Sequence, residues 1–343
     1  MQINDLTLKK LCRLYQYDIS NESIIIFAFR GSYPLQCTRS GPDQAGNPEA
    51  VKTIFKKSVD YREPACSIGI WNTGTGEIAI FPGSTVPSLT YLHRNPDSAT
   101  HFNILCPGKY ELKKGIHPRN VTGYQSHEAL VMPGKGWVIK PELIKKPKKS
   151  AFNFNRVSYT VIFPGDNLHA SHSEPLLQEK DKICPTPVMN KNFSSSGCLT
   201  IVGQPNEYVK HNYPFFWNYW EQFMLLIRYY SSAEHYVLLL FSFSDLVNID
   251  QSDSNVILRY GSKGLYVADL QERLSKISDS ISNLRYYKGK IDGLMKADTV
   301  IAWLNFMKDY SPDNIKGEVN YNEFMALTKH FIFTFKRYRH VIN

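Results

Sequence analysis

Closely spaced cysteines are missing from this chain. Six cysteines, Cys12, Cys37, Cys66, Cys106, Cys184 and Cys198, are scattered over 343 residues with no C-x-x-C spacing. That excludes a zinc ribbon, a thioredoxin-like redox motif and a disulfide scaffold, and most of the six are expected to be buried thiols. No H-E-x-x-H occurs, so no catalytic metal is expected, and a metal set drawn from His169, His172 and Cys184 is set aside. Asp250, Ser252 and Ser254 lack the central glycine and distal glutamate of a calcium loop. No cofactor is expected. The opening residues Met1 to Leu6 have no basic stretch leading into an apolar one, so no signal peptide is expected. The most apolar stretch, residues 223–243, is broken by Arg228, Glu234 and His235, which makes a membrane span too costly. No internal repeat is present.

What is there is globular. Hydrophobic residues make up 43% and aromatic residues 13%, enough to bury a sizeable core, and the length allows two domains. The formal charge of +9 favours a polyanionic surface: nucleic acid, anionic lipid or an anionic wall polymer. The strongest basic run, Lys145-Lys146-Pro147-Lys148-Lys149, holds a proline and no aromatic residue, so it reads as a solvated loop and not as a nucleic-acid groove. No nucleic-acid partner is expected.

Leucine and tyrosine spacing predicts a short helix over 7–17. β-rich runs follow at 23–29, at 67–71 and 77–81 around a Thr-Gly-Thr-Gly turn, and at 109–112, 129–132 and 157–163. The first two-thirds is therefore mainly β. A helix over 215–230 and a buried strand over 235–243 come next. Residues 248–255 are polar and read as a linker. Beyond it, Leu258, Val267, Leu270, Leu274 and Ile277 form one helical stripe, and Ala297, Val300, Ile301, Leu304 and Phe306 a second. The expected fold class is α+β: a mainly β domain over 1–247 with flanking helices, a small three-helix domain over 256–310, and a helical tail over 311–343, including a helix at 321–329.

One segment carries chemistry. Ser194-Ser195-Ser196-Gly197-Cys198-Leu199-Thr200-Ile201 sets a cysteine after a glycine and before a β-branched run, and Leu168-His169-Ala170-Ser171-His172 lies upstream. A thiol and an imidazole are the minimum parts of a cysteine nucleophile. Papain-like peptidases place cysteine before histidine; His211 or His235 would serve that order, but neither sits in a motif. The bland alternative is a buried cysteine in a strand with a loop histidine nearby.

Two resemblances add to this. Arg259-Tyr260-Gly261-Ser262-Lys263-Gly264, then Val267-Ala268-Asp269-Leu270-Gln271-Glu272-Arg273-Leu274, then Tyr287-Lys288-Gly289-Lys290-Ile291-Asp292-Gly293 and Thr299-Val300-Ile301-Ala302 resemble the three-helix peptidoglycan-binding domain over about fifty residues. Cys106-Pro107-Gly108-Lys109-Tyr110, then Leu168-His169-Ala170-Ser171, then Ser195-Ser196-Gly197-Cys198-Leu199 resemble, in that order, the L,D-transpeptidase catalytic domain over about 65–245. Three features depart from that family. Ser196 stands where it keeps a histidine, Thr200 stands where an arginine is frequent, and residues 174–193 are an apparent insertion that would form a lid.

The resemblance implies acyl transfer on peptidoglycan stem peptides: transpeptidation, D-amino-acid exchange, or carboxypeptidase or endopeptidase hydrolysis. Cys198 would be the nucleophile and His169 the base, with His172 the competing base. The backbone carbonyl of Ala170 or Ser171 would fix the tautomer, the N–H groups of Gly197 and Cys198 would form the oxyanion hole, and Ser196 would stand in for the family histidine. Without a signal peptide, such a chain is expected to be made in the bacterial cytoplasm and to act in the periplasm or wall of a target cell. It would be an antibacterial effector, for example of type VI secretion, partnered by an immunity protein and a secretion component, or else a phage lysis factor. The alternative of a different class is a non-catalytic wall-binding or structural protein of a secretion or phage machine.

Overall fold

The computed structural model describes residues 1–35, 46–89, 102–117, 126–144, 151–171, 193, 195–205, 218–250, 256–278 and 284–329. His172, His211, Cys37, Cys184, Ser194, the Lys145 to Lys149 run, residues 251–255 of the linker, nearly all of the 174–193 insertion and the tail beyond 329 lie outside them. The described elements run β1 (Gln2–Asn4), α1 (Asp5–Leu14), β2 (Ile24–Arg30), β3 (Ser32–Pro34), β4 (Val51–Lys56), β5 (Cys66–Asn72), β6 (Ile78–Ser84), β7 (Ile104–Leu105), β8 (Gly108–His117), β9 (His127–Val131), β10 (Gly136–Ile144), β11 (Ala151–Ile162), β12 (Asn167–Ala170), β13 (Leu199–Ile201), α2 (Tyr219–Tyr230), β14 (His235–Ser242), α3 (Phe243–Val247), β15 (Ile257–Leu258), α4 (Leu265–Lys276), α5 (Ala297–Tyr310), β16 (Val319–Asn320) and α6 (Tyr321–Thr328). The fold is α+β and mainly β. Among the described residues no helix is long and apolar enough to cross a membrane.

Eight strands close into a barrel in the order β12-β13-β6-β5-β2-β14-β8-β9. β12–β13 and β14–β2 pair in parallel, and β5 and β6 form the antiparallel hairpin that the glycine-rich turn predicts. The barrel has no edge to protect, which suits runs that are apolar on both faces. β2 shows why its first six residues, Ile24 to Phe29, read as one unbroken hydrophobic run. Ile24, Ile26 and Ala28 point into a core shared with Trp220, Phe223 and Ile227 of α2. Ile25, Phe27 and Phe29 point into a second core with Leu8 and Leu11 of α1 and with Phe241. Each such side chain stabilises the fold by roughly 1.5–3 kcal/mol when fully buried. Gly69 on β5 permits the Phe27 ring to lie against the sheet, since a Cβ there would fall 2.3 Å from Phe27 Cζ.

The C-terminal segment forms one more core. Leu270 and Leu274 of α4, Trp303 and Phe306 of α5 and Phe324 of α6 cluster with Trp137 and Cys106 of the barrel domain. Two expectations change here. In the second helical stripe Ile301 faces outward, 38% exposed, and Trp303 and Met307 face the core. The boundary at 310 falls inside the packed unit: β15 pairs with β16, Leu258 opposite Val319, and Phe324 packs edge-on against Trp303 and Phe306. The segment after 310 therefore supplies a strand and a helix to the core, because α4 and α5 leave an apolar face that α6 covers.

This module is also fastened to the barrel domain. Arg259 is buried. It donates through Nη1 and Nη2 to Asp245 at 2.8 and 3.0 Å, pairs with Glu318 at 2.8 Å, and lies 3.8 Å from the centre of the Tyr15 ring. Tyr15 Oη donates to the same Asp245 carboxylate, and Ser262 Oγ donates to Tyr15 O. Lys109 N donates to Tyr260 O at 2.7 Å, and Tyr110 stacks on Tyr260.

Candidate active site

β12 and β13 lie side by side in parallel, with Leu168 opposite Leu199, His169 opposite Thr200 and Ala170 opposite Ile201. Strand alternation then sorts the side chains. Leu168, Ala170, Leu199 and Ile201 enter the apolar core, so Asn167, His169 and Thr200 take the other face, and Cys198 joins them where β13 begins. A ring nitrogen of His169 and Cys198 Sγ come within 4.8 Å of each other. His169 Nδ1 lies 2.6 Å from Ala170 O. A carbonyl only accepts, so Nδ1 carries the hydrogen and the basic lone pair sits on Nε2.

The turn before Cys198 is held by its own serine. Ser195 Oγ accepts from Gly197 N at 3.2 Å and donates to Cys198 O at 2.8 Å, while Ser88 N donates to Ser195 O. The Gly197 N–H is thus directed at Ser195 and not at a substrate position, which differs from the expected oxyanion hole. The N–H groups that act on the sulfur are those of Asn167 and of Cys198 itself. Gly197 has a steric reason to be glycine: a Cβ would fall 2.6 Å from Asp166 Oδ1. Ser196 is half-buried.

Cys198 is only 7% exposed, and its thiol points toward Gly165 O at 3.9 Å. Burial first, and the nearby Asp166 second, push the thiol up to about 12, against the two N–H groups that favour the thiolate. Burial pushes Asp166 itself up to about 8, opposed by a hydrogen bond from Asn103 and by the positive charges of Arg30 and Lys140. At neutral pH the resting site therefore holds a neutral thiol beside a protonated carboxyl group. Asp166 Oδ2 and Thr200 Oγ1 are buried with no hydrogen-bond partner among the described residues.

Two further imidazoles gather here. His117 and His127 face each other across the β8–β9 pair. The His117 ring stacks on His169, with centroids 4.0 Å apart and an interplanar angle of 13°, and His127 meets His169 edge-on at 5.7 Å. His117 Nδ1 is 3.1 Å from Asn167 Nδ2. Burial, and then the neighbouring His127, lower the His117 pKa to about 4, so the ring is neutral. His117, His169 and Cys198 offer donor atoms of metal-binding type that all lie within 4.8 Å of one another.

Sequence reasoning did not reach His117, His127, Asp166 or Asn103. The only available signal was the pairing of 117 with 127 across a hairpin whose connection is long, and no local motif marks it. The Cys106-Pro107-Gly108 segment, for its part, is engaged with Trp137 and the C-terminal module. Cys106 N donates to Trp137 O, Tyr110 Oη donates to Cys106 O, and Tyr110 carries the contact with Tyr260. A cavity of about 580 Å³ opens there between barrel and module, lined among others by Lys109, Tyr260 and Lys263, and one of about 630 Å³ lies on the module beside Tyr286 and Lys308. Neither is lined by Cys198 or His169.

No protein-family model matches the chain, and no curated protein or solved structure matches it.

Proposed function

We propose that the chain is a peptidoglycan-modifying cysteine enzyme of the L,D-transpeptidase type, with a wall-binding module at its C-terminal end. The observation that carries the reading is the thiol–imidazole pair on neighbouring parallel strands, with the imidazole tautomer set by the Ala170 carbonyl. In the proposed reaction His169 Nε2 takes the Cys198 proton as sulfur attacks the carbonyl carbon of the third stem residue. The tetrahedral intermediate collapses to a thioester, and the terminal D-alanine leaves as an amine that carries the proton from His169. An acceptor amine then gives a cross-link or an exchanged residue, and water gives hydrolysis. The high resting pKa of the thiol requires that proton transfer accompany attack, since little thiolate stands ready beforehand. The substrate is a stem peptide, and the site of action is the periplasm or wall of a target cell.

A second reading rests on one observation. Cys198 is nearly inaccessible and its thiol is strongly held, which suits a non-catalytic wall-binding protein in which this cysteine is inert. Purified protein incubated with sacculi or tetrapeptide muropeptides separates the two by mass spectrometry. The enzyme reading expects a thioester adduct or a processed muropeptide with the native chain, and neither with Cys198→Ala. Binding without any product or adduct sinks it. His169→Ala is expected to abolish turnover; surviving activity would move the base elsewhere.

A further inference from the structure

We propose that His117, His169 and Cys198 form a three-ligand site for a zinc-type divalent ion, one ion per chain, with the fourth coordination position left to water. The proposal does not rest on the acyl-transfer reading. Three observations carry it. First, the donor set, two imidazoles and one thiol converging within 4.8 Å, has the chemistry that zinc selects. Second, both rings are held on the far side by a backbone or amide group. His169 Nδ1 lies 2.6 Å from Ala170 O, and His117 Nδ1 lies 3.1 Å from the Asn167 amide. Partners of this kind orient metal-bound histidines and leave Nε2 as the ligand atom; for His117 the Asn167 amide turns over to present its oxygen to Nδ1–H. Third, His169 and Cys198 are buried in strand-anchored positions, which limits the ways the donors can rearrange.

Tetrahedral zinc brings its nitrogen and sulfur donors to about 3.5 Å from one another. Binding therefore draws the three together by roughly an ångström and opens the His117–His169 stack, now at 4.0 Å. The step is a ligand exchange without redox: a zinc–sulfur bond forms, the Cys198 S–H bond breaks, and one proton is released to solvent. A coordinated thiol is deprotonated outright by the ion. A consequence is that the bound ion occupies the sulfur and the basic nitrogen together, so a loaded chain has neither a free thiol nor a free imidazole base for thioester chemistry. The three ligands come from β8, β12 and the turn residue just before β13, at 117, 169 and 198, which is why no sequence motif announces them.

The test uses the full chain, stripped with a chelator and titrated with zinc in competition with a chromophoric chelator, then with cobalt as a spectroscopic probe. One zinc per chain is expected, together with a thiolate-to-cobalt charge-transfer absorption. Cys198→Ser should remove that absorption. Cys198→Ser, His117→Ala and His169→Ala should each weaken zinc binding at least about tenfold. His235→Ala, an exposed histidine paired with Glu111, should leave it unchanged. Absence of stoichiometric binding, or binding indifferent to Cys198→Ser or His117→Ala, overturns the proposal. Should a variant fail to fold, X-ray absorption of zinc on the native chain decides: one sulfur and two imidazoles are expected, and any other first shell refutes the site. Because binding is read directly, failure here leaves the muropeptide experiment untouched, and the reverse also holds.

Discussion

Two of the polar clusters buried in this protein are built on opposite terms. At the junction of barrel and module, Arg259 meets two carboxylates and an aromatic face, and the Tyr15 hydroxyl and the Ser262 hydroxyl are both engaged. Around Cys198, a carboxyl oxygen of Asp166 and the Thr200 hydroxyl have no partner among the described residues, three imidazoles crowd together, and a thiol and a carboxyl group are both held protonated. A satisfied network rigidifies a fold, whereas unsatisfied buried groups lower stability and persist where something else requires them. The first cluster is thus built for stability, and the second fits the chemistry proposed above.

The contrast can be broken by substitution. The largest effect is expected at the junction: Arg259→Ala leaves Asp245 buried without its cation and should destabilise the chain by about 3–5 kcal/mol, read by chemical denaturation. A loss under ~1 kcal/mol would mean that the clasp is decorative. A comparable effect, spread over pH, is expected at Asp166. Its folded pKa, about 8, lies above its ordinary value of 3.8, so its contribution is fully present below pH 4 and is lost as pH rises through 8. Stability should fall across that window at up to ~1.4 kcal/mol per pH unit, and Asp166→Asn should flatten the profile. Parallel profiles for the two proteins would place the Asp166 carboxyl in water. Gly197→Ala should cost about 1–3 kcal/mol, because its methyl group must displace Asp166, and it should impair any turnover more than it lowers the melting temperature. The smallest effect belongs to Thr200→Val, which removes a buried hydroxyl with no partner among the described residues and should be neutral or slightly stabilising. A loss above ~1 kcal/mol there would reveal a partner for the hydroxyl and weaken the contrast.

How legible all this was depends on sequence distance. The β2 run, the β5–β6 hairpin, α2 and β14 are announced by local hydrophobic pattern and turn residues, and the structure has each within a few residues of its expected bounds. His169 and Cys198 could be named because each sits in a short motif, although their meeting depends on β12 pairing with β13. His117 could not be named. Its place beside His169 follows from barrel closure through β8, β9 and β12, and closure leaves no local trace. β15 and β16 are two residues each, too short for any periodicity, so the dependence of the C-terminal core on residues past 310 was hidden as well. Ile301 was misplaced for a simpler reason: leucine-like residues at helical spacing fit two registers, and the bulk of Trp303 decides which one is buried.

The Arg259 clasp has a geometric consequence. A carbohydrate-grasping appendage on a slack tether raises the local concentration of its enzyme and lets it sweep every bond within reach. An appendage bolted through a buried guanidinium sweeps nothing. On the proposed reading, a module that gripped a wall strand would hold the barrel domain at one fixed offset and one fixed tilt, so the grip would set which bond is met as well as how often. The proposed spacing between attachment point and processed peptide would then be a property of the fold, as the gap of a caliper belongs to the tool.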